Sequence, residues 1–262
     1  MRKMSSRTWR NLPGWSKVML SFAILIVLWQ LATSLLQIPP YLLPSPAIIS
    51  RTLVDQRAQD AGRLQPTLLE AACGFLLGNT AAALLAMWFV KSATAERALL
   101  PLAIALRSIP IVAITPVITL VLGRGYATTI FIVGLVTFFP TLVNTTKGLR
   151  SVSKDAEELL SVLAATEGQA FRLLKIPSAL PYIFSAMRVT GPGSVLGALV
   201  SEWVATDRGL GFLILDSQSR WQISLVWAAI IVATLLAVTA FGLVGLAERR
   251  LLSWHESMNG EG

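Results

Sequence analysis

Charged residues are scarce in this sequence. Asp, Glu, Lys and Arg together make up 14% of its 262 residues, whereas soluble globular domains carry about 25%. Hydrophobic residues make up 54%, and the mean hydropathy is +0.66. These values exclude an ordinary soluble domain and predict a polytopic membrane protein.

Cysteine and histidine are nearly absent. Cys73 is the only cysteine and His255 the only histidine. The chain therefore cannot form an intrachain disulfide, a metal site of the usual Cys/His kind or a Ser-His-Asp triad at membrane depth. Paired carboxylates are also not expected within the apolar spans. The sequence does not favour an intramembrane enzyme, and we expect this chain to bind no metal or cofactor.

Basic residues exceed acidic ones, 22 to 14, which gives a net charge of +8. They are concentrated in short segments between apolar runs, where Lys and Arg orient a protein in the membrane. They do not form a single patch suited to nucleic acid. We therefore expect the lipid bilayer, and no nucleic acid, among the partners of this chain.

Six apolar runs are candidates for membrane-spanning helices, which need about 20 residues each. Their continuous character predicts helices rather than strands, and thus an all-α membrane protein. The first is longer than the apolar region of a signal peptide, so we interpret it as an uncleaved helix, with a cleaved signal as the alternative. The runs are Lys17–Ile38, Thr67–Val90, Leu99–Leu122, Ala127–Val143, Ala179–Val204 and Ile223–Ala247.

The distribution of Lys and Arg predicts the topology. These residues are most frequent before the first run, after the second, between the fourth and fifth, and after the sixth. The positive-inside rule places those segments and both termini in the cytoplasm. The predicted parts are a cytoplasmic tail (1–16), a first transmembrane helix with an external segment (17–66), a core (67–247) containing cytoplasmic helices (154–176), and a cytoplasmic C-terminal tail (248–262).

The segment between the fourth and fifth runs is too polar to cross a bilayer, but its pattern predicts two short helices. Thr166 and Gln169 form a capping-box pattern at the start of the second helix. We expect a tight corner at Ala164–Ala165, and an end before Pro177 because Ile176 is pushed out of the helical region. Such a corner suits insertion into a groove of a soluble partner. The first helix carries apolar residues at helical spacing: Leu159, Leu160, Val162 and Leu163.

Around this corner the sequence resembles the permease subunits of ATP-binding-cassette importers. Their signature is E-A-A, three residues, Gly, nine residues and I-x-L-P. Counting back from Pro177 places Glu158 at the Glu, Ala164 at the Gly, Leu174 at the Ile and Ile176 at the Leu of that signature.

Besides Leu174 and Ile176, which exchange the Ile and Leu of the signature, the match departs from it at three positions. Leu159 and Leu160 replace the two alanines, and Ala164 replaces the glycine. Glycine adopts a positive φ more easily than alanine. We therefore expect either that Gly168 relieves the corner or that the corner is simply helical.

The resemblance extends from the first apolar run to Trp254. It is closest to importers of the nitrate, sulfonate, taurine and pyrimidine-precursor group. Five segments carry it in the expected order: IPPYLLPSPAII, LRSIPIVAITPVITLVLGRG, FFPTLVNTTKGLRSV, LPYIFSAMRV and SEWVATDRGLGFLI.

The resemblance implies one half of a transporter in a bacterial inner membrane. A second permease chain, expected to be an identical copy, would complete the pathway, and an extracytoplasmic binding protein would deliver a small solute. A separate cytoplasmic ATPase would use ATP and Mg, since this chain lacks a phosphate-binding loop of the G-x-x-x-x-G-K-[ST] type. The implied ATPase-docking residues are Glu158, Leu159, Leu160, Leu163, Ala164, Thr166, Glu167, Gly168, Leu174 and Pro177.

Candidate pathway residues are Arg107, Pro110, Phe139, Asn144 and Glu202. A charge such as Arg107 is costly at bilayer depth and normally faces the protein interior or water. It would either attract an anionic solute or form an internal ion pair. Glu202 would be a gate, a contact for the binding protein, or a structural partner of a basic residue such as Arg208.

Two other functions remain open on the sequence alone. An ion-coupled secondary transporter would run without ATP and would need buried acidic residues in several spans. A membrane scaffold would dock a partner without moving a solute. The solute is not encoded in an obvious way, because the binding protein would set specificity. A sulfonate, nitrate, a taurine-like solute and a pyrimidine precursor all fit the resemblance.

Overall fold

The computed structural model describes residues 14–252, apart from the side chains of residues 14, 15, 57–61, 106 and 107. The described residues form helices and no strand, which confirms the predicted all-α class. The helices are α1 (Gly14–Leu35), α2 (Pro46–Lys91), α3 (Ala93–Arg107), α4 (Ile111–Leu122), α5 (Tyr126–Leu149), α6 (Lys154–Val162), α7 (Glu167–Ala170), a π-helical turn (Phe171–Lys175), α8 (Ile176–Ala205), α9 (Leu210–Ser219) and α10 (Ile223–Leu251).

Five helices of the described chain are long and apolar enough to cross a membrane. They cover Ser16–Leu35, Gly62–Lys91, Tyr126–Leu149, Glu167–Ala205 and Ile223–Leu251. The predicted third run is instead divided into α3 and the 12-residue α4. The division lies at Pro110, which is extended (φ −61°, ψ 126°), whereas the helix passes Pro116 without a break. Proline within a helix removes one backbone hydrogen bond and can break the helix, but of these two prolines only Pro110 does so.

Residues 14–60 and 214–230 form one compact unit. Ser45 caps α2, because Ser is a favoured N-cap residue and the following Pro46 suits the first helical position. Its hydroxyl accepts a hydrogen bond from the N–H of Ile48 at 3.4 Å. The side chain of Gln30 accepts from the N–H of Ala47 at 3.1 Å. Trp29 and Trp227 pack with their ring centroids 5.3 Å apart. Only 6% of the apolar part of α1 is buried within the described chain, which suits a helix surrounded by lipid.

Residues Ala61–Leu213 and 231–252 form the second unit. Within it, α5 and α8 share the most extensive helix contact. Gly74 and Gly78 of α2 lie against α5, and a Cβ atom at Gly78 would overlap the backbone of Gly134. Small residues four apart allow membrane helices to approach closely. The Gly74–Gly78 pair therefore sets how near α2 and α5 can lie.

A buried polar junction joins α2, α5 and α8 in the second unit. The hydroxyl of Thr141 donates to Oδ1 of Asn79 at 2.5 Å, and the hydroxyl of Thr190 donates to the same oxygen at 3.3 Å. The amide of Asn79 donates to the carbonyl of Phe75 at 2.6 Å. All three polar side chains are at most 3% exposed. Hydrogen bonds across membrane helices hold specific neighbours together, so this junction fixes the register of the three helices.

Candidate docking surface and transport site

The two short helices predicted from the sequence are α6 and α7. The Ser153 hydroxyl caps α6 by accepting from the N–H of Ala156 at 3.3 Å. At α7, the N–H of Gln169 donates to the Thr166 hydroxyl at 3.3 Å, and the N–H of Thr166 donates to the Gln169 side chain at 2.8 Å. The predicted capping box is present. Each helix is thus fixed at its start by side chains from its own sequence.

The corner between α6 and α7 is a left-handed turn at Ala164, where φ is +54°. The N–H of Ala164 donates to the carbonyl of Ser161 at 3.0 Å, and the N–H of Ala165 donates to the carbonyl of Leu160, also at 3.0 Å. These two bonds define a Schellman motif, whose left-handed position usually holds glycine. Both expectations for the corner were wrong: it is not helical, and Gly168 has no part in it.

The second short helix does not end before Pro177, so that prediction was also wrong. Ile176 is helical (φ −62°, ψ −52°), and α7 continues through the π-helical turn Phe171–Lys175 directly into α8. Pro177 lies in the first turn of α8, directly after the π-helical turn. In the π-helical turn, hydrogen bonds join residues five apart, one more than in an α-helix. The predicted break is therefore a continuous helical connection.

Exposed apolar side chains crowd one side of α6. Leu159, Val162 and Leu163 are 61%, 82% and 67% exposed. Leu160 and Leu174, which the resemblance also places at the docking surface, are half-buried instead. Val162 is not among the docking residues that the resemblance implies, although its helical spacing from Leu159 indicates the same face. We call Leu159, Val162 and Leu163 the α6 apolar face.

The remaining predicted docking residues divide in the same way. Glu158, Ala164, Thr166, Glu167 and Gly168 are exposed, and Pro177 is half-buried.

A cleft of about 670 Å³ lies behind the helix pair, and both Leu160 and Phe171 line it. Two charged contacts hold its walls together. Lys175 pairs with Glu157 at 3.0 Å, and the ammonium group of Lys91 lies 5.2 Å from the ring centroid of Phe171. These contacts link α6, the π-helical turn and the end of α2. They therefore hold α6, which carries the α6 apolar face, in a fixed position relative to these elements.

One of the predicted pathway residues lines a cavity. Phe139 lines an apolar cavity of about 150 Å³ between α4 and α5, together with Ile109 and Ile111 on either side of Pro110. Asn144 is directed to its own helix, where its amide donates to the carbonyl of Pro140 at 2.8 Å. The side chain of Arg107 lies outside the described part of the chain.

Glu202 is fully buried and does not line that cavity. Its carboxylate accepts from the hydroxyl of Thr67 at 2.6 Å and from the N–H of Gly211 at 2.5 Å. Thr67 in turn accepts from the N–H of Leu210 at 2.8 Å. We call Thr67, Glu202 and Gly209–Gly211 the glutamate clasp. It meets the free N–H groups at the start of α9 and ties that start to α2 and α8.

The glycines of this clasp leave room for the carboxylate. Gly209 has a φ of +95°, and a Cβ atom on Gly209 or Gly211 would collide with the side chain of Glu202. The buried carboxylate therefore requires residues without a Cβ atom at these two positions of the SEWVATDRGLGFLI segment. The sequence suggested a basic residue such as Arg208 as the structural partner of Glu202, but its hydrogen-bond partners are the Thr67 hydroxyl and the Gly211 N–H.

Glu70 corrects a further expectation. The sequence analysis foresaw no paired carboxylates within the spans, yet the carboxyl groups of Glu70 and Glu202 lie within hydrogen-bonding reach of each other. Both residues are at most 1% exposed. The pairing was missed because the two residues are far apart in sequence and come from different helices. An isolated Glu within an apolar run was the one available signal.

Comparison with known proteins gives a consistent result. The family model described as "binding-protein-dependent transport system inner membrane component" matches residues 76–253. The formylaminopyrimidine transport permease of Halalkalibacterium halodurans is 33% identical over 90% of this chain and 95% of its own length. The riboflavin transport system permease of Chloroflexus aurantiacus is 32% identical over 89% and 88%. The putative aliphatic sulfonates transport permease of Bacillus subtilis is 31% identical over 96% and 92%.

The matched region contains α6, α7, the cavity and Glu202, and the relatives align along nearly their whole lengths. Together with the apolar helices, this confirms a multi-pass membrane protein that acts in transport. The chain belongs to the family of binding-protein-dependent transport system inner membrane components, the permease subunits of ATP-binding-cassette importers.

Proposed function

We propose that the α6 apolar face docks a separate cytoplasmic ATPase, which hydrolyses ATP with Mg and drives import through this chain. The observation that supports this proposal is the exposed α6 apolar face on a pair of short helices, each capped at its start. Side chains this apolar are normally covered in an assembled protein. A short amphipathic helix that enters a groove on a partner is a recurrent mode of recognition.

Motion at this surface would reach the membrane through α8. The helix pair continues through the π-helical turn into α8 without a flexible linker. With 30 residues and a rise of 1.5 Å each, α8 is about 45 Å long. It carries Arg188 and Thr190 in its middle and Glu202 near its far end. A displacement of the docked pair therefore acts on a rigid element that contacts α5 along its length.

We propose that both termini and the α6 apolar face lie in the cytoplasm. The distribution of Lys and Arg supports this orientation. The start of α9 would then lie on the outer side, where an extracytoplasmic binding protein would deliver the solute.

A second copy of the chain would complete the translocation pathway. The cavity at Phe139 is about 150 Å³, whereas sites for small molecules usually measure about 300–1,000 Å³. The cavity is also bounded by α4, whose residues Leu120 and Val121 are 87% and 76% exposed. A second copy against this helix would enlarge the cavity and cover these side chains. Pro110 and Phe139 would then line the pathway, and Arg107 would favour an anionic group.

The proposed solute is a small polar or heterocyclic molecule. The relatives are named for transport of formylaminopyrimidine, riboflavin and, putatively, aliphatic sulfonates. Their chemistry has little in common beyond size and polarity, which agrees with specificity being set by the binding protein.

The test is affinity purification of the tagged chain from its native membrane, with ATPase activity measured on the purified material. We expect an ATPase to co-purify with the unaltered chain and with Leu163→Met, which keeps an apolar side chain of similar volume. We expect Leu163→Asp to lose the ATPase, because the carboxylate would be buried unpaired at the interface.

Two outcomes would contradict the proposal. If Leu163→Asp retained the ATPase, the docking surface would lie elsewhere. If the unaltered chain purified alone and moved solute in liposomes without ATP, an ion-coupled transporter would be favoured; no flux under any condition would favour a scaffold.

A further inference from the structure

The pair of glutamates behind the glutamate clasp presents a problem of charge. Glu70 of α2 and Glu202 of α8 are 1% and 0% exposed. Glu70 lies three residues after Thr67, whose hydroxyl is 2.6 Å from the Glu202 carboxylate. Residues three apart share one face of a helix, so the two buried carboxyl groups are neighbours. Two adjacent carboxylates in an apolar interior repel each other strongly, so both cannot be ionised. A proton bound to one of the two groups would remove this repulsion.

The hydrogen bonds show which of the two is the carboxylate. Both oxygens of Glu202 accept: Oε1 from the hydroxyl of Thr67, and Oε2 from the N–H of Gly211. At Thr67 the hydroxyl is the donor: its oxygen accepts from the N–H of Leu210, and its one proton is directed to Glu202. Glu202 is thus surrounded by donors, which stabilise the ionised form.

Glu70 has the opposite environment. Within the described part of the chain, neither of its carboxyl oxygens receives a hydrogen bond, and both are buried. Among the residues whose side chains are described, the cation that acts on it is Arg208, whose side chain is 59% exposed and already lies 3.4 Å from Asp207. An ionised Glu70 would be a buried charge without a donor, which is among the most costly arrangements in a protein.

We propose that Glu70 binds a proton and, as a neutral carboxylic acid, donates a hydrogen bond to the Glu202 carboxylate. One O–H then satisfies both groups, since a protonated carboxyl is a donor and a carboxylate an acceptor. A hydrogen bond of this charge-assisted kind is stronger than one between neutral groups. The bound proton links α2 to α8 and, through Glu202, to the start of α9.

Infrared spectroscopy of the full-length chain in lipid tests this directly. We expect a carbonyl absorption of a protonated carboxylic acid at neutral pH, with a shift in D₂O. The absorption should be lost in Glu70→Gln. It should be retained in the control Glu248→Gln, which removes a mostly buried carboxylate that pairs with Arg188. Absence of the absorption from the unaltered chain, or its persistence in Glu70→Gln, would overturn the proposal.

Thermal unfolding in lipid provides a second, independent readout. Glu70→Gln should unfold at the temperature of the unaltered chain, because a carboxamide can also donate to Glu202. Glu202→Gln should unfold at a lower temperature, because its NH₂ group would face the donors of Thr67 or Gly211. Equal losses in the two variants would refute the assignment of the proton to Glu70. So would specific stabilisation of the unaltered chain by Na⁺ or K⁺ at constant ionic strength, which would place a metal cation between the carboxylates.

Discussion

The left-handed corner at Ala164 predicts that a single substitution will stabilise the docking helices. Alanine at φ +54° suffers a clash between its Cβ and the following carbonyl, at a cost of about 1–2 kcal/mol. Glycine removes this clash. It also raises the conformational entropy of the unfolded corner, which offsets about 0.4–1 kcal/mol. Ala164→Gly should therefore stabilise the closed corner by a net ~0.5–1 kcal/mol.

Hydrogen exchange measured by mass spectrometry on the full-length chain in lipid is the appropriate assay, because it reports local opening of the α6–α7 pair. At 25 °C the expected stabilisation corresponds to exchange that is slower by about two- to fivefold. The N–H groups of Ala165 and Leu163, which are bonded within the corner, should show the effect most clearly.

Ala165→Gly is the matched control. Ala165 is the next residue and has a negative φ, so glycine gains nothing there and increases only the entropy of the open state. Exchange should become faster, by a factor of the same size. If the two variants changed exchange in the same direction, the left-handed conformation assigned to Ala164 would be wrong, and with it the Schellman motif.

Two further predictions concern the packing of α2 in the second unit, and thermal unfolding in lipid nanodiscs checks both. Gly78→Ala should lower the free energy of unfolding by about 1–3 kcal/mol because its Cβ meets the α5 backbone, whereas Gly242→Ala, with nothing within 4 Å, should have little effect; equal effects would contradict the close approach. Thr141→Val should cost about 1–3 kcal/mol by removing the 2.5 Å hydrogen bond to Asn79. Thr190→Val, whose bond to the same oxygen is 3.3 Å, should cost less, and a reversed order would refute the geometry of the junction.

Features set by neighbouring residues could be predicted from the sequence. The capping box at Thr166 and Gln169 depends on residues three apart, and it is present as expected. The cap of α2 at Ser45 and the division of the third run at Pro110 are equally local. Here a side chain acts on the backbone within one turn, so its effect depends little on the rest of the fold.

Local rules failed at Ile176 and Ala164, where the surrounding structure overrides an intrinsic preference. The residue before a proline avoids the helical region in short peptides, but Ile176 is helical because the π-helical turn and α8 continue through it. Ala164 adopts a conformation that alanine disfavours because the capped helices on either side, braced by Glu157 and Lys175, require a sharp turn there. Both preferences amount to about 1–2 kcal/mol, which a few tertiary contacts can offset.

The glutamate clasp could not be predicted at all, and the reason is physical. The contacts of Glu202 with Thr67 and Glu70 join residues more than 130 positions apart, and no periodicity within either helix encodes which faces meet. The sequence does show that a glutamate within an apolar span needs a partner, because an unpaired charge at that depth is energetically costly. Once the packing of α2 against α8 brings two such residues together, the number of available donors decides their states. Glu202 has two donors and Glu70 has none among the described residues. Taken alone, Glu202 indicates a pathway residue, and Glu70 has no evident role. Together the two glutamates form one pair, and through Glu202 this pair ties the start of α9 to α2 and α8.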